Sequence, residues 1–228
     1  MDFPALPGSL AKVRETVALH QAVGGWSHPV RIVAVTKGHG PDAVQAAFAA
    51  GLTDIGENRV QEALRKQEVL TDLSLGWHLI GTLQKNKARS AAGRFALIHS
   101  VDRADLAAEL DRRTAQGTRQ PVLVQVNCSA EPQKGGVLPD SLPQLLDQLG
   151  RFERLQVRGL MTMSAFTDDV AEQRRAFRLL RELRDAGDRT GHSLPELSMG
   201  MSGDYPVAVE EGATMIRLGT LLFGERST

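Results

Sequence analysis

The feature that most constrains this chain is its period. Short runs rich in β-branched and apolar residues alternate with amphipathic stretches almost from end to end. The first run is VRIVAVTK, closing at Lys37, and Pro41 and Asp42 then open an Ala-rich helical stretch stopped by Gly51. TDIGEN, GWHLIGTL, FALIHSV, PVLVQVN, LQVRGLMTM, PELSMGM and TMIRLGTLLFG continue the series to eight strands. Between them lie RVQEALRKQEVL, QKNKARSAAG, DRADLAAELDRRTAQG, SLPQLLDQLGRF, a helix begun by Asp168 and Asp169 and running to about Gly187, and YPVAVEEGA. Asp102 reads as the N-cap of the fourth-strand helix and Gly117 as its C-cap. VRIVAV and PVLVQV are continuously apolar, as parallel strands covered on both faces require.

Eight strands with eight helical segments is the count of a (β/α)8 TIM barrel, an α/β fold. At 228 residues the chain sits slightly below the roughly 250 usual for that fold, so residues 1–228 are expected to form one domain. Residues 1–29 precede the first strand and read as a helical segment covering the barrel. A doubly wound open sheet shares the same alternation and is the competing architecture.

Composition narrows the function. With 27 Lys+Arg against 27 Asp+Glu, no general basic surface for nucleic acid or anionic membranes is expected. Aromatic residues make up only 4%, too few for base-stacking platforms. No run approaches the roughly 20 apolar residues of a membrane span, and the N-terminus does not read as a signal peptide. A single cysteine, Cys128, excludes an intrachain disulfide and suits a reducing compartment, so a cytoplasmic location is expected.

Barrel chemistry sits at the C-terminal strand ends. Read that way, the candidates are Lys37, Glu57 and Asn58, Gln84, Asp102, Asn127, Met163 to Ser164, Ser202, and Gly219 to Thr220. Lys37 is the only lysine among them. Emerging from an apolar run, it is placed for partial desolvation, which frees neutral amine as a nucleophile; a surface lysine ending a strand is the alternative. LSMGMSGD and IRLGT put Gly200, Ser202, Gly203, Gly219 and Thr220 at the seventh and eighth turns. Such turns form phosphate sites in barrels, although small residues there also serve merely as tight turns. A reactive lysine facing a phosphate cradle suits an aldehyde cofactor bearing a phosphate, a description that pyridoxal 5'-phosphate (PLP) meets.

Together AVTK, DIGENRVQEA, WHLIGTLQKNK, VQVN, KGG, RGLMTM, LSMGMSGD and IRLGTLLFG resemble the pyridoxal phosphate homeostasis protein family. Its members are single-domain barrels of PLP fold type III, similar to the N-terminal domain of alanine racemase. The resemblance runs from about Val30 to Gly224. It implies that Lys37 carries PLP as a Schiff base, that Ser202, Gly219 and Thr220 hold the phosphate, and that Arg217 lies near the pyridine nitrogen. Asn58 is implied as a further polar contact. The implied role is intracellular PLP (vitamin B6) homeostasis by a cytoplasmic monomer that passes the cofactor to apo-enzymes, without established turnover.

Arg217 carries a consequence of its own. A guanidinium only donates, so a ring nitrogen facing it must be an unprotonated acceptor and hence a poor electron sink. The alternative is that Arg217 pairs with Glu210 or Glu211. Racemase chemistry, the competing function, needs a second base; Tyr205, the only tyrosine, is expected to pack rather than react. A phosphosugar-binding barrel without a Schiff base is the third reading. The six histidines lack paired helical spacing, so a metal site is not expected and each reads as surface or core filler. Cys128 reads as a small buried hydrophobe. The arginines at 174, 175, 178, 181 and 184 read as a solvated helix face paired with Glu172, Glu182 and Asp185.

Overall fold

The computed structural model describes residues 3–129, 131 and 134–225. Helix α1 (Leu6–Gly24) precedes β1 (Arg31–Val35), which is followed by α2 (Pro41–Ala49), β2 (Asp54–Glu57), α3 (Val60–Val69) and β3 (Gly76–Leu79). A 3-10 turn at Lys85–Lys87 leads into α4 (Ala88–Ala91), β4 (Leu97–Val101), α5 (Ala104–Arg113) and β5 (Gln120–Gln125). A second at Pro139–Ser141 leads into α6 (Leu142–Leu149), β6 (Leu155–Met161), α7 (Val170–Arg189), β7 (Glu196–Ser198), α8 (Tyr205–Glu210), β8 (Met215–Leu218) and α9 (Thr220–Phe223).

All eight strands are parallel, and β8 returns to pair with β1, with Val33 opposite Arg217. That pairing closes the sheet and excludes the open doubly wound alternative. No helix among the described residues is long and apolar enough to cross a membrane.

The elements follow from local chemistry. Pro41 starts α2, where a missing N–H costs nothing, and Gly51 leaves it at φ 82°. Asp169 caps α7 by accepting from the Ala171 and Glu172 amides. Along α6, Leu142, Leu145, Leu146 and Leu149 are buried, the i, i+3, i+4, i+7 stripe of a helix lying on a sheet. Each such leucine contributes about 1.5–3 kcal/mol on leaving water.

Several boundaries differ from the sequence reading. Asp102 does not cap α5; Arg103 holds that position, and Asp102 instead accepts from its guanidinium at 2.6 Å. The same helix ends at Thr114, so Gly117 belongs to the following turn. TMIRLGTLLFG is not one strand, because the chain turns at Gly219 and enters α9. The strands are also shorter than the apolar runs: β3 stops at Leu79, ahead of Gln84, and β7 at Ser198, ahead of Ser202. The connection after β5 lies partly outside the described residues.

Two apolar regions hold the barrel. One lies between strands and helices, and the other is an interior layer of Val33, Leu97, Leu123, Met161 and Met215. Outside, α1 packs on α8 and α9 through Leu6, Leu10, Val13 and Val17. Phe3 meets the rings of His39 and Phe223 at centroid distances of 5.7 and 5.3 Å.

The arginines of α7 form ties between helices. Arg174, Arg178 and Arg181 reach Glu211, Arg174 also reaches Glu210, and Arg181 lies 5.5 Å over the Trp26 ring. Arg184 keeps an expected neighbour, Asp185, and Glu182 still acts on Arg178 at longer range.

Strand β6 passes so close to β7 that Gly159, at φ 155°, would place a Cβ 1.8 Å from the Glu196 carbonyl oxygen. Gly159→Ala is therefore expected to destabilise the protein by about 3 kcal/mol or more, read as a lowered urea midpoint with unchanged slope.

Candidate functional site

The C-terminal mouth of the barrel gathers most of the sequence candidates. Lys37 lies two residues beyond β1, half-buried, between Thr36 and Gly38. Its backbone is gripped from both sides by α3. The Lys66 ammonium donates to the Thr36 carbonyl at 2.8 Å, and Glu62 accepts from the Gly38 amide at 2.8 Å. Gly38, at φ 77°, turns the chain away directly after the lysine.

Behind this segment sits a buried ionic cluster. Lys66 Nζ also donates to Glu57 Oε1 at 2.6 Å and to Glu62 Oε1 at 3.2 Å, so each of its three hydrogens has an acceptor. Thr36 Oγ1 donates to the same Glu57 oxygen at 2.5 Å. Glu57 is fully buried, and its Oε2 has no hydrogen-bond partner among the described residues. Burial pushes its carboxyl above the ordinary glutamate range despite the opposing pull of Lys66 and Thr36. The sequence reading names Glu57 as a strand-end candidate but gives it no partner and no cluster. The available signal was Lys66 itself, which shares the buried face of α3 with Val60 and Ala63.

Across the closure, β8 places Arg217 in the barrel interior at 4% exposure. Its Nη1 donates to Ser198 Oγ at 2.7 Å and its Nη2 to the Thr162 carbonyl at 2.9 Å. Desolvation brings the guanidinium down to about 10, which leaves it protonated at neutral pH. Glu210 and Glu211 do not pair with it, being held by His20 and the α7 arginines.

The turns after β7 and β8 are tied together. Ser202 Oγ accepts from the Leu221 amide at 3.4 Å, which brings Ser202 alongside Gly219 and Thr220. Thr220 is exposed and Gly219 partly buried, with room at Gly219 limited by the Val35 carbonyl, 3.3 Å from where a Cβ would stand. Asp204 shapes the β7 turn by accepting from the Met201 amide and the Ser164 hydroxyl, both at 2.5 Å. Asn58 follows β2, half-buried, with its carbonyl packed under Gly81. An amine, hydroxyls, turn backbone and a guanidinium thus share one end of the barrel, a donor set that fits a phosphorylated aldehyde.

Other candidates lie apart from this chemistry. Burial raises the Cys128 thiol to about 12, which makes it inert as a nucleophile. Tyr205 is buried in the core at the start of α8. His78 and His99 are not filler: both are fully buried in the barrel and hydrogen-bonded to each other at 2.9 Å. A cavity of about 470 Å³ lined by Leu146, Phe152, Arg158 and His192 lies at the opposite strand ends and has no part in the mouth.

The alanine racemase N-terminal domain profile matches residues 9–227. A pyridoxal phosphate homeostasis protein of Aquifex aeolicus is 44% identical over 90% of this chain and 91% of its own. The chain belongs to the pyridoxal phosphate homeostasis protein family. Another such protein, from Pseudomonas aeruginosa, is 44% identical over 95% of this chain and 92% of its own. Among solved structures, PipY of Synechococcus elongatus with PLP bound aligns at TM-score 0.84 and 40% identity, covering 96% of this chain and 100% of that one. Corynebacterium glutamicum alanine racemase shares the fold, at TM-score 0.73 and 16% identity over 92% of this chain and 60% of that one.

The ionic cluster gives a prediction with a defined sign. Lys66→Met leaves Glu57 buried without its counter-charge and is expected to cost about 3–5 kcal/mol at pH 8. A raised folded-state carboxyl favours folding most below its unfolded value, and that contribution is lost as pH rises through the folded value. The destabilisation by Lys66→Met is therefore expected to shrink at a more acidic pH, as Glu57 takes up a proton. Urea unfolding at the two pH values measures it.

Proposed function

We propose that this protein binds PLP at the barrel mouth, carries it as a Schiff base on Lys37 and serves intracellular PLP homeostasis. The observation that carries this reading is the β1–β8 closure, which sets Lys37, the Ser202–Thr220 turns and Arg217 around one opening. A relative solved with PLP bound and aligning over nearly the whole chain supports it. When bound, PLP supplies an aldehyde that condenses reversibly with a primary amine.

The chain's own residues divide the remaining work. Lys66 and Glu62 fix the backbone on either side of Lys37, so the amine approaches from one direction. The Ser202 and Thr220 hydroxyls and the Gly219 backbone hold the phosphate, and Asn58 adds a polar contact at the rim. Arg217 donates to the ring nitrogen and keeps it unprotonated, which discourages carbanion chemistry while leaving exchange of the covalent linkage free. In this reading residues 1–228 act as one domain, with residues 1–29 covering the barrel. The protein works as a cytoplasmic monomer and hands its cofactor to apo-enzymes.

Borohydride reduction of the PLP-loaded protein is expected to leave a pyridoxyl group on Lys37 by peptide mass spectrometry, and none in Lys37→Ala. A label elsewhere with Lys37 unmodified overturns the assignment. Ser202→Ala and Thr220→Ala are each expected to weaken PLP retention at least tenfold, the effect of one hydrogen bond to a charged group, about 1.5–3 kcal/mol. Amino-acid enantiomers incubated with the loaded protein should not interconvert; robust turnover on any of them supports a racemase instead.

A further inference from the structure

A continuous polar chain runs the length of the barrel interior, beneath the mouth. Arg217 Nη1 donates to Ser198 Oγ at 2.7 Å, and Ser198 Oγ lies 2.9 Å from His99 Nδ1. His99 Nε2 lies 2.9 Å from His78 Nδ1, and His78 Nε2 lies 2.8 Å from Asp54 Oδ1. Ser198 and His99 are 0% exposed and His78 1%, so water cannot substitute for a missing link. Asp54, 26% exposed, ends the chain at the opposite strand ends, in a cavity of about 200 Å³ shared with Arg31, Arg158 and Glu196.

The direction of this chain follows from hydrogen-bond accounting. Ser198 oxygen accepts from Arg217, and its own hydrogen needs an acceptor; His99 Nδ1 is the one within reach. A proton on Nδ1 would strand the buried hydroxyl hydrogen at a cost of about 1–3 kcal/mol. His99 therefore carries its proton on Nε2 and gives it to His78 Nδ1 as acceptor. His78 in turn carries its proton on Nε2 and donates to Asp54. Every link points the same way, with negative ends toward Arg217 and a carboxylate at the far terminus. Aligned links of this kind polarise one another.

That orientation addresses an electrostatic problem. Among the described residues Arg217 has no carboxylate within ion-pair distance. Asp204, held by Met201 and Ser164, acts on it only at longer range. The surrounding charges agree with the assignment. Burial, with His78, Arg217 and Arg31 nearby, holds His99 well below the ordinary imidazole range, and its hydrogen bond from His78 holds Asp54 ionised.

We propose that Asp54, His78, His99 and Ser198 form a one-directional hydrogen-bond relay that positions Arg217 and stabilises its charge, so that the four are positioning residues for the cofactor's ring nitrogen. This rests on the PLP reading for its consequence, but the relay itself exists in the cofactor-free protein. Imidazole 15N NMR of that cofactor-free protein is expected to show His78 and His99 both as neutral Nε2–H forms. A proton on Nδ1 of either ring overturns the relay, whether or not PLP binds.

Two variants test the consequence. His99→Asn keeps an acceptor for Ser198 where Nδ1 stood but cuts the link to His78, and should hold PLP retention and visible absorption closer to those of the unaltered protein than His99→Gln does. His99→Gln places its amide at the Nε2 position and leaves Ser198 without an acceptor; it should shift that absorption and weaken retention about tenfold. Both remove a ring of the same volume, so a merely structural role lowers the melting temperature of both and leaves their spectra alike. Equal spectra and equal retention in the two variants overturn the positioning role. Failure of the unaltered protein to bind PLP at all defeats the cofactor reading while the NMR result still decides the relay.

Discussion

Everything at the mouth depends on one pairing, that of the first strand with the last. Val33 opposite Arg217 and Ala34 opposite Leu218 set the register in which two distant parts of the chain meet. Slipping it by one residue turns Arg217 out of the barrel, since alternate residues of a strand face opposite sides. The hydroxyl-bearing turns and Lys37 are neighbours only because the sheet closes. In an open sheet the same residues would lie on opposite edges.

The interior this closure creates is polar as well as apolar. It holds a guanidinium, two imidazoles and a hydroxyl beside five apolar side chains, and a carboxylate–ammonium pair lies just behind β1 and β2. Burying such groups is costly unless each finds a partner, and incomplete networks are worse than an apolar core. The two networks solve the problem differently. Lys66 meets its acceptors directly, whereas Arg217 is served through neutral intermediates. The first fixes backbone around Lys37, and the second holds a side chain on the strand paired with β1.

Much of this was legible in the sequence, for definable reasons. A strand covered on both faces must be apolar, so VRIVAV and PVLVQV announce themselves, and their number gives the barrel. Lys37 stands out as a cation at the end of such a run. The sequence overruns the strand ends because apolar residues continue into buried turns, as at Leu83, after pairing has stopped. Gly219 breaks TMIRLGTLLFG into strand and helix, which hydrophobicity alone does not register. The His78–His99 contact comes from the offset between neighbouring strands and leaves no trace in spacing along the chain. Likewise Arg174 and Arg178 carry suitable intrahelical partners on paper, but Glu210 at the end of α8 and Glu211 just after it engage them instead.

The aromatic contacts of Phe3 have a practical side. Its ring touches His39, just after the lysine-bearing turn, and Phe223, in the short helix that begins at Thr220. These two rings also face each other at 5.6 Å, so three separate chain segments share a single latch. Whatever precedes Phe3 is therefore joined to the chain beside that latch. An affinity handle placed there is a neighbour of the opening, and its length and charge become variables in every measurement of how fast a vitamer enters or escapes.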